Sequence, residues 1–524
     1  MRPILHTTVC ALLLAVSLVG CAPRPATLQR LVYGLTLAPT GIDPHVNASS
    51  ELGIPLTSVY DTLVYQDPTT GQFAPGLAES WKISDDGKTY TFTLRRDVKF
   101  HDGTPFNASA IKANLDRISN PATLSQKAVF MLGPFDRAQV ADEWTIVVHL
   151  KQPFAPLLDS LSQVYLGIAS PAALDKWGKD YQLHQVGTGP FIFKEYAPKD
   201  HLTLVRNPDY RWGSSFWENR GPAYLEEITF RFYEDPATRA LALESGQAHV
   251  MGEVPPQDVD RLTAGQFTLH AVTIPGQPLQ LFLNTRRPPT DDLRVRQALL
   301  YATDRASIAK TIFRDKSPIA FGPLTAATVG CDPSLKSLYP FDPDKARQLL
   351  DDAGWRVGPD GIRQKDGQRL KVDAVLMSFG FVPETAQLLQ AQWAQVGVEF
   401  KTQLVPYGTL LQAGHDGAVN AIPFLLSGSD PDLLRQFFRS EASFNFARVS
   451  DAELDAVLDK AVTLANPNDR ASLYADAQRR IMAQALIVPI RDYANLNVAA
   501  KSVAGLRYDA RGWFPLLSNV KLTP

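Results

Sequence analysis

The stretch that decides the fold covers residues 75–106 and reads PGLAESWKISDDGKTYTFTLRRDVKFHDGTPF. Apolar and polar residues alternate along its second half, a period of two that predicts a strand with one buried face. The buried positions are Tyr90, Phe92 and Leu94. Gly87 suits the turn before this strand because glycine adopts positive φ freely, and Asn107 is placed to cap a helix. We therefore predict a β-hairpin that leads into a helix.

Composition describes an ordinary globular chain. The 524 residues are 45% hydrophobic and 20% charged, with a mean hydropathy of -0.12. This length is enough for two or three domains with a large core. The formal net charge of -2 provides no electrostatic reason to bind nucleic acid or an acidic membrane surface. Nucleic acid is therefore not an expected partner.

The N-terminus reads as a targeting segment. Residues 9–19 form an apolar run that is too short for a spanning helix of about 20 residues, so residues 1–20 are predicted to be a signal peptide. Residues 18–21, LVGC, resemble the bacterial lipobox, which implies acylation of Cys21. Residues 21–30 would then be a lipidated tether. The alternative is an ordinary signal peptide with a cysteine at that position by chance.

The three cysteines are consistent with an extracytoplasmic lipoprotein. Cys10 would leave with the signal peptide and Cys21 would carry lipid, so Cys331 has no partner for an intramolecular disulfide. We expect Cys331 to be a buried, inert thiol rather than a reactive one. The expected location is periplasmic or extracytoplasmic, with a lipid anchor in a bacterial membrane.

Several motifs carry a resemblance to a known family. The sequences of three segments, 75–81, 89–95 and 98–105, resemble the signature of the family 5 extracellular solute-binding proteins of ABC importers. This family includes oligopeptide-, dipeptide- and nickel-binding proteins. Three further segments resemble family motifs: YDTLV at 60–64, GTGPF at 187–191 and RNPDYRW at 206–212. The resemblance extends over about residues 31–508.

Strands alternate with helices along most of the chain, which predicts an α/β protein. The resemblance implies a periplasmic-binding-protein-like fold of class II type, in which two α/β lobes with mixed sheets enclose a cleft and an extra small domain is added. By analogy, lobe I comprises 28–53, 175–276 and 488–524. The flanking insert domain comprises 54–174 and lobe II comprises 277–487. The hinge strands would cross near residues 275–276 and 487–489.

No set of residues suitable for catalysis stands out, so we expect no enzyme, no cofactor and no metal. The sequence Ser427-Gly428-Ser429 lacks the first glycine of a nucleophile elbow. The His101–Asp102 pair belongs to a predicted structural turn, and His415–Asp416 is predicted to lie solvated in a glycine-rich loop. The nine histidines are scattered without the spacing of metal ligands.

Residues 421–438, AIPFLLSGSDPDLLRQFF, are the best candidate for ligand contact. An apolar strand runs into a Gly/Ser turn before a helix, and hydroxyls, backbone N–H groups and a helix N-terminus suit a polar ligand. Asp430 could equally be only the helix cap. The candidate ligand-binding residues are Ser427, Ser429, Asp430 and Asp432 from lobe II, Thr40, Ser49 and Ser50 from lobe I, and Trp393 and Phe446 as apolar walls. Packing is the alternative role for those outside 421–438.

One position departs from the family pattern. Peptide binders of the family often have Asp three residues before the DPD motif, where it pairs with the peptide α-ammonium, and this chain has Ser427 there. A neutral hydroxyl cannot compensate a desolvated ammonium as a carboxylate can. A peptide or peptide-like solute therefore remains the main expectation. A sugar, an opine-like compound, an antibiotic and a metal chelate are alternatives.

The resemblance implies a monomeric receptor that closes its lobes on a small-molecule or peptide ligand and delivers it to the transmembrane subunits of an ABC permease. Binding coupled to closure requires no bond to be made or broken. Two other functions stay open at this point. One is a secreted lipoprotein enzyme, and the other is a sensor or chaperone-like receptor on the same scaffold.

Overall fold

A computed structural model of the chain describes residues 29–39, 41–47 and 49–524. The predicted signal peptide, Cys21 and Thr40 lie outside these residues. The strands are β1 Arg30–Leu35, β2 Val64–Gln66, β3 Phe73–Pro75, β4 Ala78–Ile83, β5 Thr89–Leu94, β6 Phe135–Asp142, β7 Thr145–Leu150, β8 Phe191–Ala197, β9 His201–Arg206, β10 Glu227–Phe232, β11 Val250–Met251, β12 Phe267–Thr273, β13 Gly276–Leu283, β14 Arg356–Val357, β15 Arg363–Lys365, β16 Gln368–Arg369, β17 Lys371–Leu376, β18 Glu399–Leu404, β19 Ala421–Ser427, β20 Ile487–Arg491, β21 Ala494–Ala500, β22 Val503–Ala504 and β23 Lys521–Leu522.

The helices, in chain order, are α1 Ser50–Leu56, α2 Ala108–Ser119, α3 Ala128–Met131, α4 Leu157–Ser160, α5 Pro171–Trp177, α6 Pro236–Glu244, α7 Pro256–Thr263, α8 Leu293–Tyr301, α9 Arg305–Phe313, α10 Pro343–Asp352, α11 Val382–Ala394, α12 Tyr407–Asp416, α13 Leu433–Phe438, α14 Ala452–Ala461 and α15 Pro467–Ala483.

Three larger sheets divide the chain. Lobe I has seven strands in the order β12-β21-β11-β1-β10-β9-β8, and lobe II has five in the order β18-β17-β19-β13-β20. Both are mixed sheets, since β1 is parallel to β10 and β11, and β17 is parallel to β18 and β19. The insert holds an antiparallel sheet in the order β4-β5-β7-β6. The predicted class, two α/β lobes with an added small domain, is confirmed.

The apolar cores follow the same division. One cluster of buried side chains runs through lobe I and the insert, and a separate cluster fills lobe II. A third, smaller cluster lies between the lobe I sheet and helices α6 and α7. Because the insert shares its core with lobe I, the two pack as one body, and lobe II is the other.

The hairpin forms as predicted. Strands β4 and β5 pair antiparallel, with Trp81 opposite Phe92 and Ile83 opposite Tyr90. The alternating residues of β5 are buried on one face, with Phe92 fully enclosed. The Asn107 side chain accepts a hydrogen bond from the backbone N–H of Ala110 at 3.1 Å and caps α2.

Three of the motifs converge on one buried carboxylate, that of Asp61. It accepts hydrogen bonds from the hydroxyls of Tyr65 at 2.5 Å, Tyr210 at 2.9 Å and Thr188 at 2.8 Å. The indole N–H of Trp212 donates a fourth, also at 2.8 Å. A buried carboxylate is tolerated when its lone pairs are satisfied in this way. The segments 60–64, 187–191 and 206–212, which resemble family motifs, therefore meet in one buried hydrogen-bond network. This network joins lobe I to the insert.

Two segments connect the lobes. The first, at 274–275, joins β12 of lobe I to β13 of lobe II. The second follows Arg491, because all of β20 pairs with β13, with Ile487 opposite Phe282. Lobe II therefore extends to Arg491 instead of ending at 487, and the crossing segment is 492–493.

Two local expectations have different outcomes. His415 and Asp416 lie at the end of helix α12, which stops at Gly417 with φ of +67°, so the predicted glycine-rich loop is wrong. The glycines there permit close helix packing, since a Cβ at Gly414 would lie 2.4 Å from the ring of Phe446. Cys331 is half-buried, and burial together with nearby Asp492 raises its thiol pKa to about 11. An inert thiol is consistent with this shift.

Candidate ligand-binding cleft

The cleft lies where parallel strands of both lobes end. Residues 253–256, after β11 in lobe I, and residues 378–381, after β17 in lobe II, line the same cavity. The crevice beyond the carboxyl ends of strands is the usual ligand site in α/β sheets. A cavity of about 370 Å³ occupies one end of this crevice, within the range of ~300–1,000 Å³ typical of small-molecule sites. Its lining from both lobes includes Arg239, Glu253, Phe313, Ser317, Phe379, Gly380, Arg491 and Tyr493.

Arg491, the last residue of β20, is the buried cation of the cavity. Its side chain donates to the hydroxyl of Ser317 at 2.9 Å and to the carbonyl of Gly380 at 3.2 Å. The guanidinium also lies over the rings of Phe313 at 4.0 Å and Tyr493 at 4.8 Å. Burial lowers its pKa to about 10, so the group stays charged at neutral pH.

Tyr493 links Arg491 to a carboxylate of lobe I. Its hydroxyl donates a hydrogen bond to Glu253, which follows β11 and has a positive φ of 47°. Its ring stacks with Phe379 of lobe II at 6.4 Å and contacts Trp513 at 5.8 Å. Burial and the Glu253 charge raise the pKa of Tyr493 well above its usual value, so the phenol stays protonated.

Glu51, in the first turn of α1, is a second buried carboxyl group near Glu253. Burial, and then the charge of Glu253, raise its pKa to about 7. The backbone N–H of Thr36 donates to the Glu51 carboxyl group at 2.9 Å. The charge of nearby Arg239 acts in the opposite direction and lowers the pKa of Glu51. The negative charge of Glu253 beside the Glu51 carboxyl group makes this part of lobe I favourable for a cation.

The other end of the cleft is closed by direct contact between the lobes. The hydroxyl of Ser429 donates to Asp159 of helix α4 in the insert. Arg511, from the C-terminal segment, donates to the same carboxylate at 3.0 Å and to Ser162 at 2.6 Å. Of the residues predicted from sequence, Ser429 is therefore the one that directly bridges the lobes.

The neighbouring predicted residues have other surroundings. Ser427 ends β19 opposite Gly276, at the first crossing. Asp430 forms an ion pair with Arg470 at 2.7 Å, and Asp432 forms one with Arg435 at 2.7 Å. Helix α13 begins at Leu433 and has only six residues, so Asp430 is not its cap. Both acidic charges are compensated within lobe II, and the predicted helix N-terminal site is not formed.

The remaining predicted contacts divide between the lobes. Ser49 is half-buried and its carbonyl accepts from the Tyr165 hydroxyl at 2.9 Å, and Ser50 is the first residue of α1. Trp393 is 0% exposed and donates its indole N–H to Thr303 at 3.1 Å. Phe446 is buried in a cluster of rings. The cluster also contains Phe282, Phe424, Phe437 and Phe444. Trp393 and Phe446 are core residues of lobe II, and the apolar-wall role is wrong for both.

Buried polar atoms lie on β13 and β21, the strands that follow the two crossing segments. Among the described residues, the side-chain amides of Gln277 and Gln280 on β13 have no hydrogen-bond partner within the protein. The same holds for the amide oxygen of Asn495 and the amide nitrogen of Asn497 on β21. Such groups are costly unless water or a ligand satisfies them.

The two histidine–aspartate pairs have different surroundings. In one, His415 Nδ1 lies 3.3 Å from Oδ1 of Asp416, and both side chains are exposed to solvent. The Nε2–H of His101 donates to the carbonyl of Gly189 at 2.9 Å, and Asp102 accepts hydrogen bonds from the hydroxyls of Ser170 and Thr104. Within the described part of the chain, no three His, Cys, Asp or Glu side chains are grouped to hold a metal ion. A helix long and apolar enough to cross a bilayer is also absent from that part.

Two α/β bodies joined by two crossing segments, with a cavity between them lined by charged and aromatic side chains, define the class of solute-binding receptors that close on a ligand. The family model for bacterial extracellular solute-binding proteins, family 5 Middle, matches residues 72–445. The chain therefore belongs to the family 5 extracellular solute-binding proteins, and it acts outside the cytoplasm.

Individual relatives agree with this assignment. The glutathione-binding protein GsiB of Salmonella typhimurium is 31% identical over 450 residues, 82% of each chain. NikA from Brucella suis, solved in complex with Fe(III)-EDTA, superposes with a TM-score of 0.84 at 26% identity, covering 94% of this chain and 100% of that one. DppA from Helicobacter pylori, solved with the peptide STSA, gives a TM-score of 0.76 at 25% identity, covering 94% and 98%.

Sequence reasoning did not select Glu51, Glu253, Arg491 or Tyr493 for this site. Arg491 and Asp492 form a charged pair that interrupts the apolar run at 487–496, IVPIRDYANL. Charges inside an otherwise buried strand are unusual, and that signal could have indicated a functional position.

Proposed function

We propose that this protein captures a peptide-type solute in the cleft and delivers it to the transmembrane subunits of an ABC permease. The observation that carries this proposal is the cavity between the lobes, whose lining combines the guanidinium of Arg491, the carboxyl group of Glu253 and several aromatic rings. A zwitterionic peptide has charges of both signs and apolar side chains, and these three kinds of group match it.

The relatives support a ligand that carries carboxylates. GsiB is named for glutathione and DppA was solved with a peptide, both of which have free carboxylate groups. NikA was solved with Fe(III)-EDTA, a polycarboxylate chelate, so a metal chelate is the second candidate. A buried arginine such as Arg491 suits any of them, whereas a neutral sugar or another uncharged solute would leave its charge unpaired.

Closure around the ligand is the proposed mechanism, with no catalytic step. Among the described residues, the lobes are in polar contact at three places in addition to the crossing segments. Lys316 of lobe II pairs with Asp260 of lobe I at 2.6 Å, and Ser429 bonds to Asp159. The third contact is a backbone bond from Ala155 to Val462 at 3.0 Å. A ligand that contacts both lobes binds best when they are closed, and so it shifts the population toward that state.

The N-terminal tether belongs to the same proposal. Acylation of Cys21 would hold a monomeric receptor at a bacterial membrane through residues 21–30, close to the permease that it serves. Detection of the mature N-terminus by mass spectrometry tests this separately. A mature chain that begins at an unmodified residue would remove the anchor and leave the cleft unaffected.

The main test uses the purified protein. Native mass spectrometry identifies any ligand that is carried through purification, and calorimetry with a panel of di- and tripeptides and of metal chelates measures affinity. Small-angle scattering with the bound ligand should show a smaller radius of gyration than without it. Binding of no peptide in the panel would overturn the peptide assignment, and turnover of a bound compound would favour an enzyme.

A further inference from the structure

Residues 324–331, here called the hinge loop, bind the first crossing segment and the residue after it through two threonines. The backbone N–H of Thr325 donates to the carbonyl of Gly276 at 2.8 Å, and its hydroxyl donates to the carbonyl of Ile274 at 3.0 Å. The hydroxyl of Thr328 accepts a hydrogen bond from the backbone N–H of Gly276 at 2.7 Å. Both threonine side chains are buried, so these bonds are protected from competition by bulk water.

The hinge loop also holds the second crossing segment, through Asp492. The backbone N–H of Ala326 donates to one carboxylate oxygen of Asp492 at 2.9 Å. The two crossing segments are joined to each other as well, since the N–H of Ile274 donates to the carbonyl of Tyr493 at 2.8 Å. A change in the angle between the lobes has to be absorbed by these segments. The hinge loop therefore contacts the part of the chain that must move.

The other end of the hinge loop is fixed to lobe II. The side-chain amide of Gln478, on helix α15, donates to the carbonyl of Gly330 at 2.7 Å and accepts from the backbone N–H of Asp332 at 3.1 Å. Gln478 is fully buried, so this attachment is a part of the lobe II core. The loop is thus anchored in one lobe and grips both connections to the other.

The carboxyl group of Asp492 is buried and half satisfied. Asp492 is 1% exposed, and among the described residues its second carboxylate oxygen has no hydrogen-bond partner. Neighbouring Arg491 directs its terminal nitrogens to a hydroxyl and a backbone carbonyl elsewhere in lobe II. Lys336 is exposed, and Cys331 contributes a neutral thiol. Burial raises the pKa of Asp492 to about 6, against the lowering effects of the Ala326 N–H, Arg491 and Lys336.

We propose that the hinge loop is a pH-sensitive clamp, which grips the crossing segments while Asp492 is neutral and releases them when Asp492 is ionised. An ionised carboxylate gains free energy by reaching water, and Asp492 reaches water when its segment separates from the hinge loop. Because the gripped state raises the pKa of Asp492, that state prefers the protonated form, and the grip weakens as the pH rises through about 6. The lobes therefore move more freely at neutral than at acidic pH, whatever solute occupies the cleft.

Hydrogen exchange followed by mass spectrometry, on the purified full chain without added ligand, tests this clamp. Peptides covering 274–276 and 324–331 are compared between the parent and Asp492→Asn at the same pH, so that the intrinsic pH dependence of exchange cancels. Asn is neutral at every pH and close to Asp in size. We expect the ratio of the parent's exchange rate to the variant's to rise at least about tenfold between about pH 5 and about pH 8.

Two controls show that the effect belongs to Asp492 and to the hinge. Peptides from helix α10, 343–352, lie in the same lobe outside the hinge loop, and their ratio should change much less. Glu51→Gln removes the other carboxyl group that titrates near neutral pH, and it should leave the pH dependence of the hinge peptides as in the parent. The parent alone supplies a second measurement if Asp492→Asn fails to fold. Protection of its hinge peptides, relative to those of α10, should fall between the two pH values.

Each contrary result has a definite meaning. A ratio that stays constant between the two pH values would overturn the clamp. An equal change in the α10 peptides would also overturn it, because Asp492 would then act only on the stability of the whole lobe. Loss of the pH dependence in Glu51→Gln would assign the effect to Glu51 instead. Since no ligand is used, these results leave the proposed solute-capture function to its own test.

Discussion

At the scale of single residues, the carboxyl group of Glu51 is the one whose protonation the fold changes most clearly near neutral pH. It lies between Glu253, Arg239 and the backbone N–H of Thr36, and its pKa is raised to about 7 by burial and by Glu253. A raised pKa means that the folded state favours the protonated form. The stability that this group contributes is therefore full below its unfolded pKa and is lost as the pH rises through about 7.

Replacing this group by a neutral amide should remove that loss. We expect Glu51→Gln to raise the thermal unfolding temperature relative to the parent at about pH 8, with little change at about pH 5. One pKa unit corresponds to about 1.4 kcal/mol, so the gain at high pH is at most about 3 kcal/mol. Scanning calorimetry at the two pH values measures it, with exposed Glu244→Gln as the control. An identical shift at both pH values would contradict the assignment.

At the scale of elements, the junction between β12 and β13 is the most constrained part of the hinge. Gly276 has a φ of +132°, and its backbone N–H is bound by the hydroxyl of Thr328 at 2.7 Å. A Cβ at this position would lie 2.2 Å from the carbonyl oxygen of Leu426 and 2.8 Å from the nitrogen of Gly428. Because both are backbone atoms of the paired strand, neither can move aside as a flexible side chain can.

An alanine at this position should therefore be far more costly than positive φ alone explains. We expect Gly276→Ala to lower stability by roughly 3 kcal/mol or more. Gly246→Ala is the matched control, since Gly246 also has positive φ, at +73°, but has no atom within 4 Å of its Cβ position. The control should lose about 1 kcal/mol. Chemical denaturation compares the two, and equal losses would show that the hinge strand can shift to accept a side chain.

At the scale of the whole molecule, two bodies are held together by few contacts outside the crossing segments. The pair between Lys316 and Asp260 is one of them, and the Asp260 side chain is 71% exposed. Exposed ion pairs contribute about 1 kcal/mol or less and are screened by salt. Such a contact is too weak to lock the lobes shut, but it is strong enough to bias them toward closure.

Removal of that charge should weaken binding without altering the cavity wall. We expect Asp260→Asn to raise the ligand dissociation constant by up to about fivefold at low salt, and by much less near ~1 M salt. Asp258→Asn is the control on the same helix, because Asp258 pairs with Arg261 inside lobe I at 3.1 Å. Calorimetry at two salt concentrations provides the measurement. A loss that persists at high salt would point to a change in the site itself.

Whether the sequence could predict a site residue depends on how far along the chain its neighbours lie. Ser429 was identified because a Gly/Ser turn after an apolar strand is a local pattern that often ends at a cleft. Trp393 and Phe446 were misplaced because a large apolar side chain reads the same in a sequence whether it faces a cavity or a core. Glu51, Glu253 and Arg491 were overlooked because each is an isolated charge whose meaning depends on neighbours from other segments.

The sequence by itself determined the features that depend on residues close together in the chain. The alternation of apolar and polar residues predicted the hairpin, and Asn107 predicted the start of a helix. The resemblance to family motifs implied two mixed-sheet lobes and an insert. Only the tertiary structure decided that β20 belongs to lobe II and that Glu253, Arg491 and Tyr493 share one cavity. The reason is that strand pairing across a sheet joins segments far apart in the chain, and the charge environment between two lobes exists only after both have folded.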